Sequence, residues 1–376
     1  MIYFLTKSYP PQDGGGGALL KRHCVEIMTK NGLDVEVICL GKENSRLENI
    51  RYFKNKRNIK ISLLKQRLGI LEDYLDPWSE DILSYLKSCV KSNDTIFATC
   101  GGELSGIKIG SKIKDISNCK FIAHFHDPLD HTTINLEKLD YKFHKNRNIF
   151  LRKYLHNCNN ILTSTRTYAR HLSFVTNKPV SHAYFGFIGK PIRRGDEAFL
   201  QSEGLNIIYG GSDGYAQRSQ QIFKLLHNTQ SDPDKIHFHV FGKSRMKTNK
   251  FHVHHHGLLP RDEYIGSLTY PNMLGYVSLG PTYFRNCIPS KIFDFISMQI
   301  PILAILPYGE AFELIREKKI GISIVPGDKH SLKLALEKFR DEKFYRDSME
   351  AQQDCWHEFG QSELETEMIR VLRNHD

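Results

Sequence analysis

Thr282–Ile305 reads TYFRNCIPSKIFDFISMQIPILAI, and its two halves ask for different backbones. Pro289 and Ser290 are helix-start residues, and Ile292, Phe293, Ile296 and Met298 then recur at helical spacing, which predicts a helix near Ser290–Met298. After Pro301, Ile302–Ile305 is an unbroken apolar run, the pattern of a strand covered on both faces. A helix feeding a buried strand is the repeating unit of a parallel α/β sheet.

Upstream the same alternation continues. Asn206–Tyr209, His237–Phe241, Val253–His256 and Met273–Leu279 read as strands, with a helix near Gln217–His227. A separate alternation fills the N-terminal half. Ile2–Leu5, Val35–Leu40, Thr95–Ala98, Lys120–His124 and Asn160–Thr163 are short apolar runs, and a helix from about Ala18 to Lys30 stops at Gly32. A chain of 376 residues exceeds what one core usually serves. The expected fold class is α/β, with two doubly wound domains facing a cleft and ligands at the carboxyl ends of the strands. Ala183–Arg194, with its glycine and proline breakers, marks the junction. The expected division is a first domain at 1–185, a linker at 186–200, a second domain at 201–360, and a C-terminal segment at 361–376. The helix in that last segment, about Ser362–Arg373, would pack back on the first domain.

The net charge of +10 is uneven. Residues 1–195 hold 31 Lys/Arg against 18 Asp/Glu, and the remainder holds 21 against 24. A basic first half points to a polyanionic partner such as an anionic membrane surface, or to a solvated basic face. Nucleic acid is the weakest choice, because no nucleic-acid module accompanies the charge. The densest basic run, Arg51–Arg67, interleaves with Tyr52, Phe53, Ile59, Ile61, Leu63 and Leu64. It reads either as an edge strand guarded by lysines or as an interfacial surface patch, its helical period being poor. No run approaches the ~20 apolar residues of a membrane span. The eight cysteines are scattered without a C-x-x-C pair, which fits reduced thiols, and the N-terminus lacks a signal-peptide core, so a cytoplasmic protein is expected.

Five clusters carry candidate chemistry. Asp13-Gly14-Gly15-Gly16-Gly17 follows the first strand, where bare backbone can approach an anion closely, although it matches neither G-x-G-x-x-G nor a P-loop. In Phe121–Asp130, FIAHFHDPLD, a strand ends in His126 and Asp127; His126 is placed to bond a sugar hydroxyl, and His124 fits a core position. In Ile207–Ser219, IIYGGSDGYAQRS, the Gly210-Gly211-Ser212 turn precedes Arg218 on the next helix, a phosphate-facing arrangement. In the opening segment, Ile288 and Ser290 border a helix N-terminus that offers amides to a phosphate, and Lys291 adds a full charge. Asp294, one turn on, can accept bonds from a ribose diol. The fifth cluster, His237, His239, His252, His254, His255 and His256, lacks the cysteines or clustered carboxylates of a metal site, and no metal is expected.

Together these segments resemble the retaining glycosyltransferases of the GT-B fold, specifically the large family 4 that builds bacterial surface polysaccharides. The resemblance covers nearly the whole chain. It opens with YPPQDGGGGALLKRHCVEIMTKNGLDVEVICLG at Tyr9–Gly41 and continues through HVFGKS at His239–Ser244 and HVHHHGLLPRDEYIGSL at His252–Leu268. It is strongest at IPSKIFDFISMQIPILAI, Ile288–Ile305. The resemblance implies two Rossmann-like domains, an acceptor-binding first one and a nucleotide-sugar-binding second one. It implies a hexosyl transferase acting with retention and without a metal. The donor would be a UDP-, GDP- or dTDP-linked sugar, a substrate rather than a cofactor. The acceptor would be a glycan or a polyprenyl-diphosphate-linked glycan at the anionic inner leaflet, in the synthesis of O-antigen, capsule or exopolysaccharide.

Residue by residue, it places the glycine loop with Gly15 and Gly16 over the donor diphosphate and the acceptor. His126 would lie beside the transferred sugar. Arg218 and Lys291 would face the leaving diphosphate, and Asp294 the ribose, with Gly211, Ser212, Ile288 and Ser290 lining the donor. The family's two helix glutamates are Asn286 and Asp294 here, the arginine after the strand glycine is Ser212, and the following lysine is displaced to Arg218. Those departures keep two other readings open: a GT-B-like subunit that binds a nucleotide or glycan with little or no transfer, and a sugar-nucleotide epimerase.

Overall fold

The structure is a computed structural model that describes residues 1–12, 16–55, 58–129, 137–201, 203–211, 217–226, 235–248, 251–280 and 285–373. It divides into two compact units, Met1–Phe185 with Ser362–Asp376, and Gly186–Gln361.

In the first unit the strands are β1 (Ile2–Thr6), β2 (Val35–Gly41), β3 (Ser45–Leu47), β4 (Ile50–Lys54), β5 (Thr95–Gly101), β6 (Lys120–Asp127), β7 (Asn160–Thr163) and β8 (Ser181–His182). The helices are α1 (Gly16–Lys30), α2 (Ile59–Arg67), α3 (Asp76–Cys89), α4 (Ser105–Ser117), α5 (Glu137–Leu155) and α6 (Arg166–Thr176). The sheet order is β3-β4-β2-β1-β5-β6-β7-β8. Every pairing is parallel except the β3–β4 hairpin at the edge. Strand order reverses between β1 and β5, and that is where a crevice forms outside the strand ends.

Alternation along β1 explains why its sequence is apolar throughout. Ile2 and Phe4 enter one core cluster and Tyr3 and Leu5 the other, so both faces of the sheet are covered. The cluster holding Ile2 and Phe4 is closed by the last helix, α14 (Gln361–Arg373), through Leu364, Met368, Val371 and Leu372. Lys120 and Asn160 donate to the carbonyls of Leu372 and Val371, and Asn31 donates to Glu365.

The second unit has β9 (Leu205–Gly210), β10 (Ile236–Phe241), β11 (His252–Gly257), β12 (Met273–Ser278), β13 (Ile302–Ile305) and β14 (Gly321–Ile324) in the order β11-β10-β9-β12-β13-β14, all parallel. Its helices are α7 (Gln221–Leu226), α8 (Arg261–Ser267), α9 (Lys291–Ser297), α10 (Glu310–Glu317), α11 (Lys329–Phe339), α12 (Glu342–Asp354) and α13 (Trp356–Phe359). Here the order reverses between β9 and β12. Leu205, Ile207, Tyr209, Leu274 and Tyr276 point into one core cluster. On the opposite face α9 lies so close to β12 that a Cβ at Gly275 would collide with the ring of Phe295. Trp356 donates its indole N–H to the carbonyl of Ile296, and the ring of Phe359 lies 5.4 Å from that of Phe293, so α9 is fixed from behind.

Three expectations change. Arg51–Arg67 is neither one strand nor one surface run: its first part is β4, inside the β2 and β3 pairings, and its second part is α2. Residues 186–200 lie within the second unit: Ile192 donates to Ser297, and the backbone N–H of Arg194 donates to Gln299. The helix near Gln217–His227 starts only at Gln221.

Candidate functional site

In the second unit the carboxyl ends of β9, β10 and β12 surround the switch point. Gly211, just past β9, has φ +146°, a conformation L side chains rarely adopt, and its N–H donates to the Phe241 carbonyl at 2.7 Å. The reason for a bare backbone is visible beside it. A Cβ at Gly211 would stand 2.9 Å from Nζ of Lys291. Lys291 opens α9 and reaches over Gly211 with its ammonium 5.8 Å from the ring of Tyr209. Burial holds its pKa below the ordinary lysine value, and Asp294 pulls the other way. Among the described residues no carboxylate lies within ion-pair distance of this ammonium.

The start of α9 differs from the sequence reading. Ser290 is already helical (φ −56°, ψ −25°) and its hydroxyl makes no capping bond. The N–H groups of Ile292, Phe293 and Asp294 are taken by the carbonyls of Pro289 and Ser290. Three N–H groups at this end are thus occupied, and the Lys291 ammonium adds a full positive charge beside them. Ile288 is partly buried just upstream.

Asp294 is held by a residue that sequence reading passed over. Nη2 of Arg261, on α8, donates to its Oδ1 at 2.8 Å and also to the Ile188 carbonyl. Half-buried Tyr264, on the same helix, has its hydroxyl pKa raised, first by desolvation and then by Asp294. The signal was available in principle, since Arg261 and Tyr264 lie in the quoted segment PRDEYIGSL, but nothing local says which carboxylate an arginine will meet. Arg218 is not on a helix: it precedes α7 with φ +41°, and its side chain crosses Gly280 past the end of β12, where a Cβ would collide with it. Gly211, Lys291 and Arg218 thus all stand at strand ends β9 and β12. Ser212 lies outside the described residues, as does Gly15. Gly16 is the first residue of α1.

His126 belongs to the first unit, at the end of β6. A Cβ at Gly101, the end of β5, would collide with its imidazole, and its Nε2 lies 3.9 Å from Asp127. His124, two residues earlier, is a core histidine: it is 1% exposed, neither ring nitrogen has a hydrogen-bond partner among the described residues, and burial drives its pKa down to about 3. Around His126 stand three charged groups the sequence did not single out. Glu103, 1% exposed, accepts from the N–H of Gly101 and lies 3.7 Å from Lys7, which follows β1. The Glu103 carboxylate raises the Lys7 pKa. Lys21 of α1 donates to Ser8, and burial lowers its pKa. One buried ammonium group, Lys21, one half-exposed, Lys7, a carboxylate and an imidazole near the ends of β1, β5 and β6 can hold a polyhydroxylated or anionic molecule.

The histidine cluster lies on the outer edge of the second sheet. His252, His237, His254, His239 and His256 form a ladder across β10 and β11, and His239 Nδ1 is 3.1 Å from His256 Nε2. Among the described residues no group of three or more His, Cys, Asp or Glu is placed to hold a metal ion, and no helix is long and apolar enough to cross a membrane. All eight cysteines are thiols.

Comparison with known proteins finds the fold and not a family. No family model matches the chain, and no curated protein matches it in sequence. Solved structures match along its whole length. The apo form of the lipopolysaccharide outer core galactosyltransferase WaaB is 12% identical, with 99% of this chain and 98% of that one covered and a TM-score of 0.61. WaaG, a glycosyltransferase involved in lipopolysaccharide biosynthesis, is 12% identical over 100% of both chains, TM-score 0.63. An α,α-trehalose 6-phosphate synthase from Burkholderia multivorans is 10% identical over 99% and 96%, TM-score 0.69. The chain has the GT-B fold, two Rossmann-like α/β units in one polypeptide.

Proposed function

We propose that this protein is a glycosyltransferase that moves a hexose-type sugar from a nucleotide-diphosphate donor to a glycan or lipid-linked glycan, with retention and without a metal. The observation that carries the reading is the partly buried Lys291 ammonium, without a carboxylate partner among the described residues, over Gly211 at the switch point of the second sheet. A cation in that position suits a leaving diphosphate, whose charge grows as the glycosidic bond to the donor breaks. Arg218 supplies a second positive charge, and Asp294, oriented by Arg261, has an oxygen left for a ribose diol. Gly211, Ser212, Ile288 and Ser290 are assigned to the donor, and Gly15 and Gly16, the second of them the first residue of α1, to its diphosphate. In the first unit, His126, with Glu103, Lys7 and Lys21, is assigned to the acceptor and the transferred sugar. In a retaining transfer the leaving phosphate takes the acceptor proton, so no second acid–base residue is needed.

The solved structures of like fold support this reading: WaaB and WaaG are named for lipopolysaccharide synthesis, and an E. coli trehalose-6-phosphate protein, 9% identical over 99% of both chains with a TM-score of 0.66, is bound with UDP-2-fluoro glucose. The setting we propose is family 4 chemistry in surface-polysaccharide synthesis at the cytoplasmic face of a membrane, with an anionic inner leaflet as neighbour. The test is turnover with UDP-, GDP- and dTDP-sugars, with and without a polyprenyl-diphosphate-linked glycan. Release of nucleoside diphosphate that depends on acceptor supports the proposal. An altered sugar nucleotide formed without acceptor would make the protein an epimerase, and binding without either reaction a non-catalytic subunit.

A further inference from the structure

Lys21 occupies a position on α1 that the helical period gives to the core. Ala18, Lys21, Val25 and Met28 recur on one face of the helix, and all four are buried, Lys21 at 5% exposed. Its ammonium donates to the Ser8 hydroxyl at 2.9 Å, and among the described residues no carboxylate lies within ion-pair distance of it. The two acids whose charge reaches it serve other groups: Glu103 stands 3.7 Å from Lys7, and Asp127 stands 3.9 Å from Nε2 of His126. Two more buried polar groups lie unmatched in the same region. One oxygen of Glu103 accepts no hydrogen bond among the described residues, and neither ring nitrogen of His124, whose imidazole feels the Lys21 charge, has a partner.

A cation buried without a counter-charge is costly, and an apolar side chain of the same length would fill the space without that cost. We propose that Lys21 and the Ser8 hydroxyl form an anion site, and that the acceptor carries a phosphate or carboxylate on the sugar that enters beside His126. The inference rests on the assignment of the first unit to the acceptor and goes beyond it by fixing the charge of the acceptor sugar. A neutral sugar would offer Lys21 hydroxyls and leave its charge uncompensated. An anion compensates it, and the Ser8 hydroxyl, whose oxygen accepts from Lys21, can donate its own proton to the same group. Lys7, with Glu103 already beside it, is the less needy cation. Burial holds the Lys21 pKa below its ordinary value, and an anion at the site would pull it back up.

The test is calorimetric titration of the full chain with glucose 6-phosphate, glucuronate, inorganic phosphate and, as the neutral control, glucose. The comparison variants are Lys21→Met, which keeps the length and removes the charge, and Ser8→Ala. The wild type should bind a sugar-borne anion at least roughly tenfold more tightly than glucose, and Lys21→Met should lose that margin, the size of a charge-assisted contact. Ser8→Ala should weaken the same ligand about fivefold. Lys21→Met should also melt above the wild type, because it removes an unmatched buried charge. Equal binding of glucose and the charged sugars, anion binding that Lys21→Met leaves unchanged, or no binding of any probe would overturn the inference. So would binding of inorganic phosphate without either charged sugar, or loss of the anion together with a lowered melting temperature, which would make Lys21 a packing residue. Nucleoside diphosphate titrated into the same wild-type protein reads the second unit separately. A chain that binds nucleoside diphosphate but no charged sugar keeps the transferase reading and loses this inference. One that binds the charged sugar through Lys21 but no nucleoside diphosphate keeps the anion site and loses the transferase reading.

Discussion

Lys291 and Gly211 depend on each other. The ammonium can lie over the strand end only because position 211 has no side chain, and the backbone there has a φ that a side chain would strain. Gly211→Val should therefore act twice. Strain of this kind costs about 1–3 kcal/mol, visible as a lowered melting temperature. The displaced ammonium should weaken nucleoside diphosphate binding at least roughly tenfold by calorimetry. A variant that melts lower but binds normally would separate the glycine from the site. Lys291 was legible in the sequence because proline, serine and lysine preceded an amphipathic run. Helix amides were expected to share the anion; Ser290 is already helical without a side-chain cap, and the N–H groups of Ile292, Phe293 and Asp294 are taken by Pro289 and Ser290. Arg261, Glu103, Lys7 and Lys21 were not legible at all, since their meaning comes from partners far away in the chain.

At the scale of elements, strands were read better than helices. β7 and β13 appear with the bounds their apolar runs gave, because a strand covered on both faces has no polar residue until it ends. α2 resisted because its period is correct only when its apolar residues are allowed to face outward. α7 is shorter than its pattern because the chain first turns through Arg218 in a left-handed conformation. The histidine ladder was visible as a composition and not as a geometry. Its cross-strand contacts bury His239, and desolvation together with the neighbouring imidazoles drives that pKa down to about 3. A histidine depressed in the folded state binds its proton in the unfolded chain first, so stability is complete above about pH 6.5 and falls as the pH drops toward 3. The expected slope is up to about 1.4 kcal/mol per pH unit for this group. His239→Phe should flatten it, measured by urea unfolding at a series of pH values from about 7 down to about 5, where an ordinary histidine takes up its proton. An unchanged pH slope would show that the ladder titrates alike in both states.

For the whole molecule, the two strand–helix alternations separated by Ala183–Arg194 were enough to forecast two doubly wound units, and the two sheet orders carry a reversal of the kind that makes a crevice. The sequence allowed the last helix to return to the first unit without proving it; α14 follows the second unit in sequence and completes the first unit's core with Leu364, Met368, Val371 and Leu372. Counted by unit, the first carries 30 Lys/Arg against 22 Asp/Glu and the second 22 against 20, so most of the positive charge lies in the first unit. The central claim is that the second unit grips a nucleoside diphosphate through Lys291. Its most direct test is calorimetric titration of UDP, GDP and dTDP into the wild type and into Lys291→Ala, with hydrogen exchange to confirm that the variant is folded. The account predicts that one of the three binds the wild type, and that the substitution weakens it by roughly tenfold to a hundredfold, the worth of a charge-assisted contact. Equal affinity in the two proteins, or no binding of any of the three to the wild type, would contradict it.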